Sequence, residues 1–167
     1  MTTATTIRAV TGSDSSKVRE IAIVTGLFDE ESWPEVQEIM SASIDDEDSE
    51  HVWIVLESDV GVIGAAYYAP EPFAYRMWNL YFLGVMPGNQ GAGAGRELVA
   101  HVESVLRARG ERVLIIETSG METFTATRAF YRRNGYDEEA RIRDFYGPGD
   151  DKIVFWKALQ PLSGEAE

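Results

Sequence analysis

Residues 85–95 read Val85-Met86-Pro87-Gly88-Asn89-Gln90-Gly91-Ala92-Gly93-Ala94-Gly95, and their reading decides how the rest of the chain is assembled. An apolar run, Trp78-Asn79-Leu80-Tyr81-Phe82-Leu83-Gly84-Val85, enters this stretch as a strand and stops at the proline turn. Beyond the glycines, Leu98, Val99, Val102, Val105 and Leu106 recur at the spacing of one buried helical face, which predicts a helix over Gly91–Arg109 ended by Gly110. Strand, glycine loop and helix in that order make an anion site. The first backbone N–H groups of a helix lack internal partners, and the helix dipole adds positive character there. Glycine removes the Cβ that would hold a phosphate away, so the loop suits a pyrophosphate.

Spacing narrows the ligand. The dinucleotide pattern G-x-G-x-x-G fails in both frames, since its third glycine would be Arg96 or Leu98. The nucleotide P-loop fails because Ala94 stands where its lysine belongs. The pattern Gln/Arg-x-x-Gly-x-Gly/Ala is met by Gln90, Gly93 and Gly95. With Leu83-Gly84-Val85-Met86-Pro87 before it, the segment resembles motif A of the GNAT N-acetyltransferase superfamily, whose loop holds the pyrophosphate of acetyl-coenzyme A. The resemblance implies cofactor contacts from Leu83, Val85, Gln90, Gly91, Ala92, Gly93, Ala94, Gly95 and Arg96.

A second segment carries the same resemblance. The strand Arg112–Thr118 is followed by a helical stretch ending in Phe130-Tyr131-Arg132-Arg133, with Asn134-Gly135 as its stop signal. Phe130-Tyr131-x-x-x-Gly135-Tyr136 is similar to the GNAT signature in which an aromatic pair precedes Gly-Phe/Tyr. In that family the tyrosine often protonates the departing coenzyme A thiolate, a role the resemblance gives Tyr131; the alternative is packing against Phe130. Many relatives carry Asn seven residues before that tyrosine. Phe124 stands there, and Thr127 is the substitute considered for a polar cofactor contact.

Length and composition bound the answer. The 167 residues suit one ordinary domain, with a core over about 6–159 and a tail at 160–167. There is no cysteine, which excludes disulfides and an acetyl-cysteine intermediate, and with only His51 and His101 no metal is expected. No apolar run reaches a membrane span, and Met1–Thr6 lacks the features of a secretory signal; a cytoplasmic protein without membrane partners is expected. The net charge of −13 is uneven: residues 1–75 hold three basic and fifteen acidic residues, whereas 76–167 hold twelve and thirteen. The cofactor half is thus near neutral, with arginines grouped about both motifs. The acidic half disfavours nucleic acid and favours cationic small molecules.

The remaining elements follow from pattern. Thr6–Val10 reads as a strand, Asp14–Thr25 as a helix capped by Ser13 or Asp14, and Glu31–Ser43 as a second helix with Trp33, Val36, Ile39 and Met40 inward. His51–Glu57 and Val60–Tyr68 form a hairpin about Ser58-Asp59, and Tyr136–Phe145 and Lys152–Leu159 are two last strands. The order is α+β: a mixed, mostly antiparallel seven-stranded sheet with helices on both faces, which is also that of the GNAT fold.

The expected activity is N-acetyltransfer from acetyl-CoA to a primary amine of a small molecule or peptide, directly, within a ternary complex. By resemblance the Val85 N–H polarises the thioester carbonyl. Family members often place a carboxylate early in the motif A strand, but Asn79-Leu80-Tyr81 stands there. Glu117, at the C-terminal end of the next strand, is therefore the first choice of general base, with Tyr81 second. Trp33, Asn79, Tyr81 and Tyr146 are the acceptor-side candidates. The acidic Asp29–Glu50 segment suits an acceptor with several amines, such as a polyamine, an aminoglycoside or a basic peptide; Arg141, Arg143 and Tyr146 suit one bearing a carboxylate, and both stay open. The run Asp144–Lys152 is similar to one in some bacterial GNAT members, without indicating a substrate. A homodimer is an option. The other reading of the whole is a non-catalytic GNAT-like module that binds acyl-CoA as a sensor or within an assembly.

Overall fold

The structure, a computed structural model, describes residues 4–161. Seven strands form one sheet in the order β1-β2-β3-β4-β5-β7-β6. They are β1 Thr6–Ala9, β2 Val52–Ser58, β3 Gly61–Pro70, β4 Met77–Val85, β5 Val113–Ser119, β6 Asp137–Gly147 and β7 Asp150–Ala158. The helices are α1 Ser15–Val24, α2 Trp33–Ile44, α3 Ala94–Ala108 and α4 Thr125–Arg133. The recorded registers are antiparallel except β4–β5, which runs parallel from Met77↔Val113 to Leu80↔Ile116. Most of the expected tail, beyond Pro161, lies outside the described residues.

The chain divides into two compact units. The first runs through Ala69 and includes Tyr81–Val102. One face of its β2–β3 hairpin, with Trp53, Val55, Ala65 and Tyr67, packs with Val18, Ile21, Trp33 and Met40 of α1 and α2. Successive strand residues point to opposite faces, so Gly64, between Ala65 and Ile63, meets the other layer. A Cβ there would lie 3.0 Å from Leu98 of α3 and 3.3 Å from the Gly84 carbonyl. Gly84 is tighter, since its Cβ would come 2.6 Å from Ile21. Helices therefore cover both faces of this unit, as expected.

Several boundaries differ from the sequence reading. Thr11 caps a 3-10 turn over Gly12–Asp14, and the α-helix begins at Ser15 with Asp14, one of the two expected residues, in the N-cap position. The Asp14 carboxylate makes no cap bond to that helix; it takes the Arg8 guanidinium at 2.7 and 2.9 Å and the Thr11 N–H at 2.8 Å, the latter closing the capping box of the 3-10 turn. Ile39, expected inward, is 39% exposed; α2 packs through Trp33 and Met40, with Val36 partly buried. The hairpin turn is Asp59-Val60, because Gly61 adopts φ +109° and pairs with Ser58. The helix after the glycines starts at Ala94, since Gly91 and Gly93 hold φ +81° and +90° and cannot be helical.

The second unit comprises Pro70–Leu80 and the chain from Glu103 onward. Leu106, Leu114, Ile116, Tyr131, Tyr136, Ile153 and Phe155 are buried in it. The C-terminal ends of α3 and α4 fall in this unit and close in the same manner. At α3, Glu111 N–H bonds the Leu106 carbonyl and Gly110 N–H that of Arg107; at α4, Tyr136 N–H bonds that of Tyr131 and Gly135 N–H that of Arg132. This paired arrangement needs a left-handed residue, which Gly110 and Gly135 supply at φ +75° and +88°.

Candidate active site

The glycine turn is built from backbone. Pro87–Asn89 forms one 3-10 turn, and the Gln90 amide donates to the Val85 carbonyl at 3.0 Å, tying the turn to the end of β4. The Gln90 side chain is thus engaged as a clamp. Gly91, Ala92 and Gly93 are exposed. A Cβ built on Gly88, Gly91 or Gly93 would meet nothing within 4 Å, so the turn faces open space. The α3 ladder begins with Glu97 N–H donating to the Gly93 carbonyl at 2.9 Å. The amides ahead of Glu97 therefore lie in the orphan first turn of a helix, where an anion is stabilised. Arg96 is exposed in that turn and has no ion-pair partner among the described residues. Such a cradle fits a pyrophosphate. Val85 is buried beside it in sequence, and Leu83 and Thr127 are partly buried.

Tyr131 lies in the core of the second unit. Its ring packs edge-on to Phe130 at 5.4 Å and Tyr136 at 6.1 Å, and tilted against Phe155 at 5.6 Å. Burial pushes its phenol well above the ordinary tyrosine value. Lys157 anchors the end of α4 by donating to the Asn134 carbonyl at 2.8 Å, and its ammonium lies 2.6 Å from the buried Glu103. Tyr136 is raised for the same reason as Tyr131, with the Glu103 charge adding to it.

Glu117 and Tyr131 do not share a surface. In the β5–β7 register Ile116 pairs with Phe155, and Glu117 with Val154. Tyr131 packs on Phe155, so alternation puts Glu117 on the opposite face of these strands. Asn79 does share the Glu117 face, because its register partner is Ile115. It is 1% exposed; its Nδ2 donates to Glu71 at 3.1 Å, and its Oδ1 is buried without a hydrogen bond. A buried acceptor without a partner costs about 1–3 kcal/mol.

The other acceptor candidates fall in different settings. Tyr81 is 38% exposed and stacks on Tyr67 at 5.4 Å, and Tyr67 stacks on Trp53 at 4.3 Å. Burial pushes the Tyr67 phenol up to about 12, and it is hydrogen-bonded with His51. Trp33, expected at a groove, sits in the core at 3% exposure and offers only an unpartnered indole N–H. Tyr146 is half-exposed on β6, its phenol pushed up to about 12 by burial and then by the charges of Glu117 and Asp150. Sequence reasoning missed Lys152 and Phe145. Lys152 Nζ lies 3.1 Å from Glu117 and 3.8 Å from the Phe145 ring centre. The signal was the alternation of the last strand, which exposes Lys152 to Glu117 only once the pairing of β5 with β7 is known.

A seven-stranded mixed sheet, a glycine turn opening a helix and a tyrosine at the end of the next helix define an acyltransferase scaffold. A model of the acetyltransferase (GNAT) family matches residues 19–136, and the chain belongs to that family. Among solved structures, a GNAT-family protein from Desulfovibrio desulfuricans is 33% identical, covers 94% of this chain and 100% of its own, and has a TM-score of 0.85. An aminoglycoside 6′-N-acetyltransferase complexed with coenzyme A shares the fold at a TM-score of 0.73, with 17% identity over 93% of this chain and 98% of that one. The mycothiol acetyltransferase of Beutenbergia cavernae is 34% identical over 85 residues, 51% of this chain. The chain spans only 28% of that relative's length. No helix among the described residues is long and apolar enough to cross a membrane.

Proposed function

We propose that this chain transfers the acetyl group of acetyl-CoA to a primary amine of a small molecule or peptide, directly, as a cytoplasmic enzyme. The observation that carries the reading is the open glycine turn at the head of α3, a backbone cradle with no Cβ on Gly91 or Gly93 and no side chain above them. Amides of Gly91 to Gly95 hold the pyrophosphate, Arg96 adds charge, and Leu83, Val85 and Thr127 contact the rest of the cofactor. Acetyl-CoA supplies an acetyl group already activated as a thioester.

The chain's own groups do the rest. Glu117, directly or through one water, takes a proton from the acceptor ammonium to free its lone pair. The Val85 N–H donates to the carbonyl oxygen as negative charge grows there. Tyr131 delivers its phenolic proton to the departing sulfur. Asn79 Oδ1 accepts a hydrogen bond from the acceptor, and Tyr146 and Tyr81 contribute acceptor contacts.

Free-thiol release from acetyl-CoA over a panel of amines tests this. Release matched mole for mole by an N-acetylated product is expected for at least one primary amine. Thermal stabilisation by coenzyme A without release for any amine contradicts it.

A further inference from the structure

Glu117 is not a free carboxylate, and its partner is informative. Lys152 and Glu117 are both withdrawn from water, with 11% and 22% of their side-chain surfaces exposed. Ser119 pairs with Lys152 and Glu117 with Val154, so the two side chains are diagonal neighbours on one face. The Lys152 ammonium also sits 3.8 Å from the centre of the Phe145 ring. Tyr146 follows Phe145 and feels the charges of Glu117 and Asp150. Asp150 is itself held by the Ser119 hydroxyl at 2.5 Å.

The arm that carries these rings is fixed. The β6–β7 register shifts between Ile142 and Gly147, Asp144 takes φ +54°, its N–H donates to Asp151 at 2.9 Å, and its carboxylate accepts the Gly149 N–H at 2.9 Å. A carboxylate and an aromatic face that close on one point are the recognition set for one alkylammonium group. In this structure that group is the chain's own lysine.

We propose that Lys152 occupies, in the free protein, the seat that the acceptor's ammonium takes in turnover. The site then selects a primary ammonium on an unbranched aliphatic stem, and Lys152 competes with the acceptor for the seat. This rests on Glu117 as the base of the proposed function. Exchange is feasible because one ammonium replaces another on the same carboxylate, so Glu117 is never left buried and unpaired.

Lys152→Ala removes the side chain beyond Cβ, which is propylammonium in shape and charge. Propylamine titrated into the folded variant should give a saturable rise in melting temperature, at a concentration about tenfold lower than in the wild type. Propanol should give none, and the Lys152→Ala/Glu117→Gln protein should lose the response. Equal, weak responses to propylamine and propanol in folded Lys152→Ala overturn the seat; Lys152→Thr, a better strand former, serves the same titration if the alanine variant does not fold. The turnover of Glu117→Gln reports separately on the base. Wild-type kcat there, with propylamine binding intact in Lys152→Ala, removes the base and keeps the seat; lost turnover without propylamine binding does the reverse.

Discussion

The Gln90–Gly95 turn and the Glu117–Lys152 cluster are made of different material. The turn is exposed backbone with open space above its glycines, and its one engaged side chain, Gln90, points back to the Val85 carbonyl. The cluster is all side chain, and each charged group already has a partner: Lys152 on Glu117 and Phe145, Asp150 on Ser119. A site of backbone amides accepts its ligand without displacing anything. A site of paired side chains accepts one by exchange. Binding at the turn should therefore respond to backbone geometry and little to single side chains, and the catalytic half should respond in the opposite way.

The largest effect expected is on the side-chain half. Tyr131→Phe keeps the ring in its packing against Phe155 and removes only the hydroxyl. It should lower kcat by roughly 10²–10⁴ while the KM for acetyl-CoA hardly moves. Unchanged kcat at saturating amine from pH 6 to 9 would reduce Tyr131 to packing.

The unit that carries the turn offers a carboxylate whose partner never exchanges. Hydrogen bonds from Arg8 hold the buried Asp14 down to about 2, below its ordinary value of 3.8. Its contribution is complete above the unfolded value and is lost as pH falls from about 4 through about 2, on the order of 2 kcal/mol. Urea unfolding from pH 6 to 2 should show that loss in the wild type and a shallower one in Asp14→Asn. Equal slopes would make the pair ornamental.

Gly93→Ala comes next. An alanine at φ +90° strains the turn without filling it, and coenzyme A affinity by calorimetry should fall more than tenfold, above about 1.4 kcal/mol. Gly88→Ala, outside the left-handed region and equally open, should bind as the wild type does. Equal losses in both would mean that the turn responds to bulk and not to geometry. The smallest effect belongs to Arg96→Ala. It removes one exposed charge, so the KM for acetyl-CoA should rise about two- to fivefold with apo stability unchanged. A drop in stability at constant KM would make Arg96 structural.

The same contrast governs what was legible in the chain. Gly91 and Gly93 announce themselves because few other residues tolerate their φ, so a backbone requirement is written directly in residue type. Gly135 reads for the same reason, and through it the position of Tyr131 at the end of α4. The succession of strands and helices along the chain, and with it the α+β class, followed from periodicity. Lys152 and Phe145 were not legible, because their meeting with Glu117 depends on a register between strands more than thirty residues apart and on the irregular stretch between Ile142 and Gly147. Ile39 misled because helical periodicity marks an apolar stripe but not how much of it a neighbour covers. Asp14 does stand at the N-cap of α1, but its carboxylate serves the Arg8 guanidinium and the Thr11 N–H and not the amides of that helix, which residue type alone does not reveal.

The central claim is that the backbone of the turn, and not a set of side chains, holds the cofactor. Titrating coenzyme A into protein labelled with ¹⁵N-glycine reads this directly. The amides of Gly91, Gly93 and Gly95 should move downfield together, saturating with the ³¹P shift of the pyrophosphate, while Gly12, Gly26 and Gly149 stay in place. Saturable coenzyme A binding that leaves Gly91, Gly93 and Gly95 unmoved would contradict it.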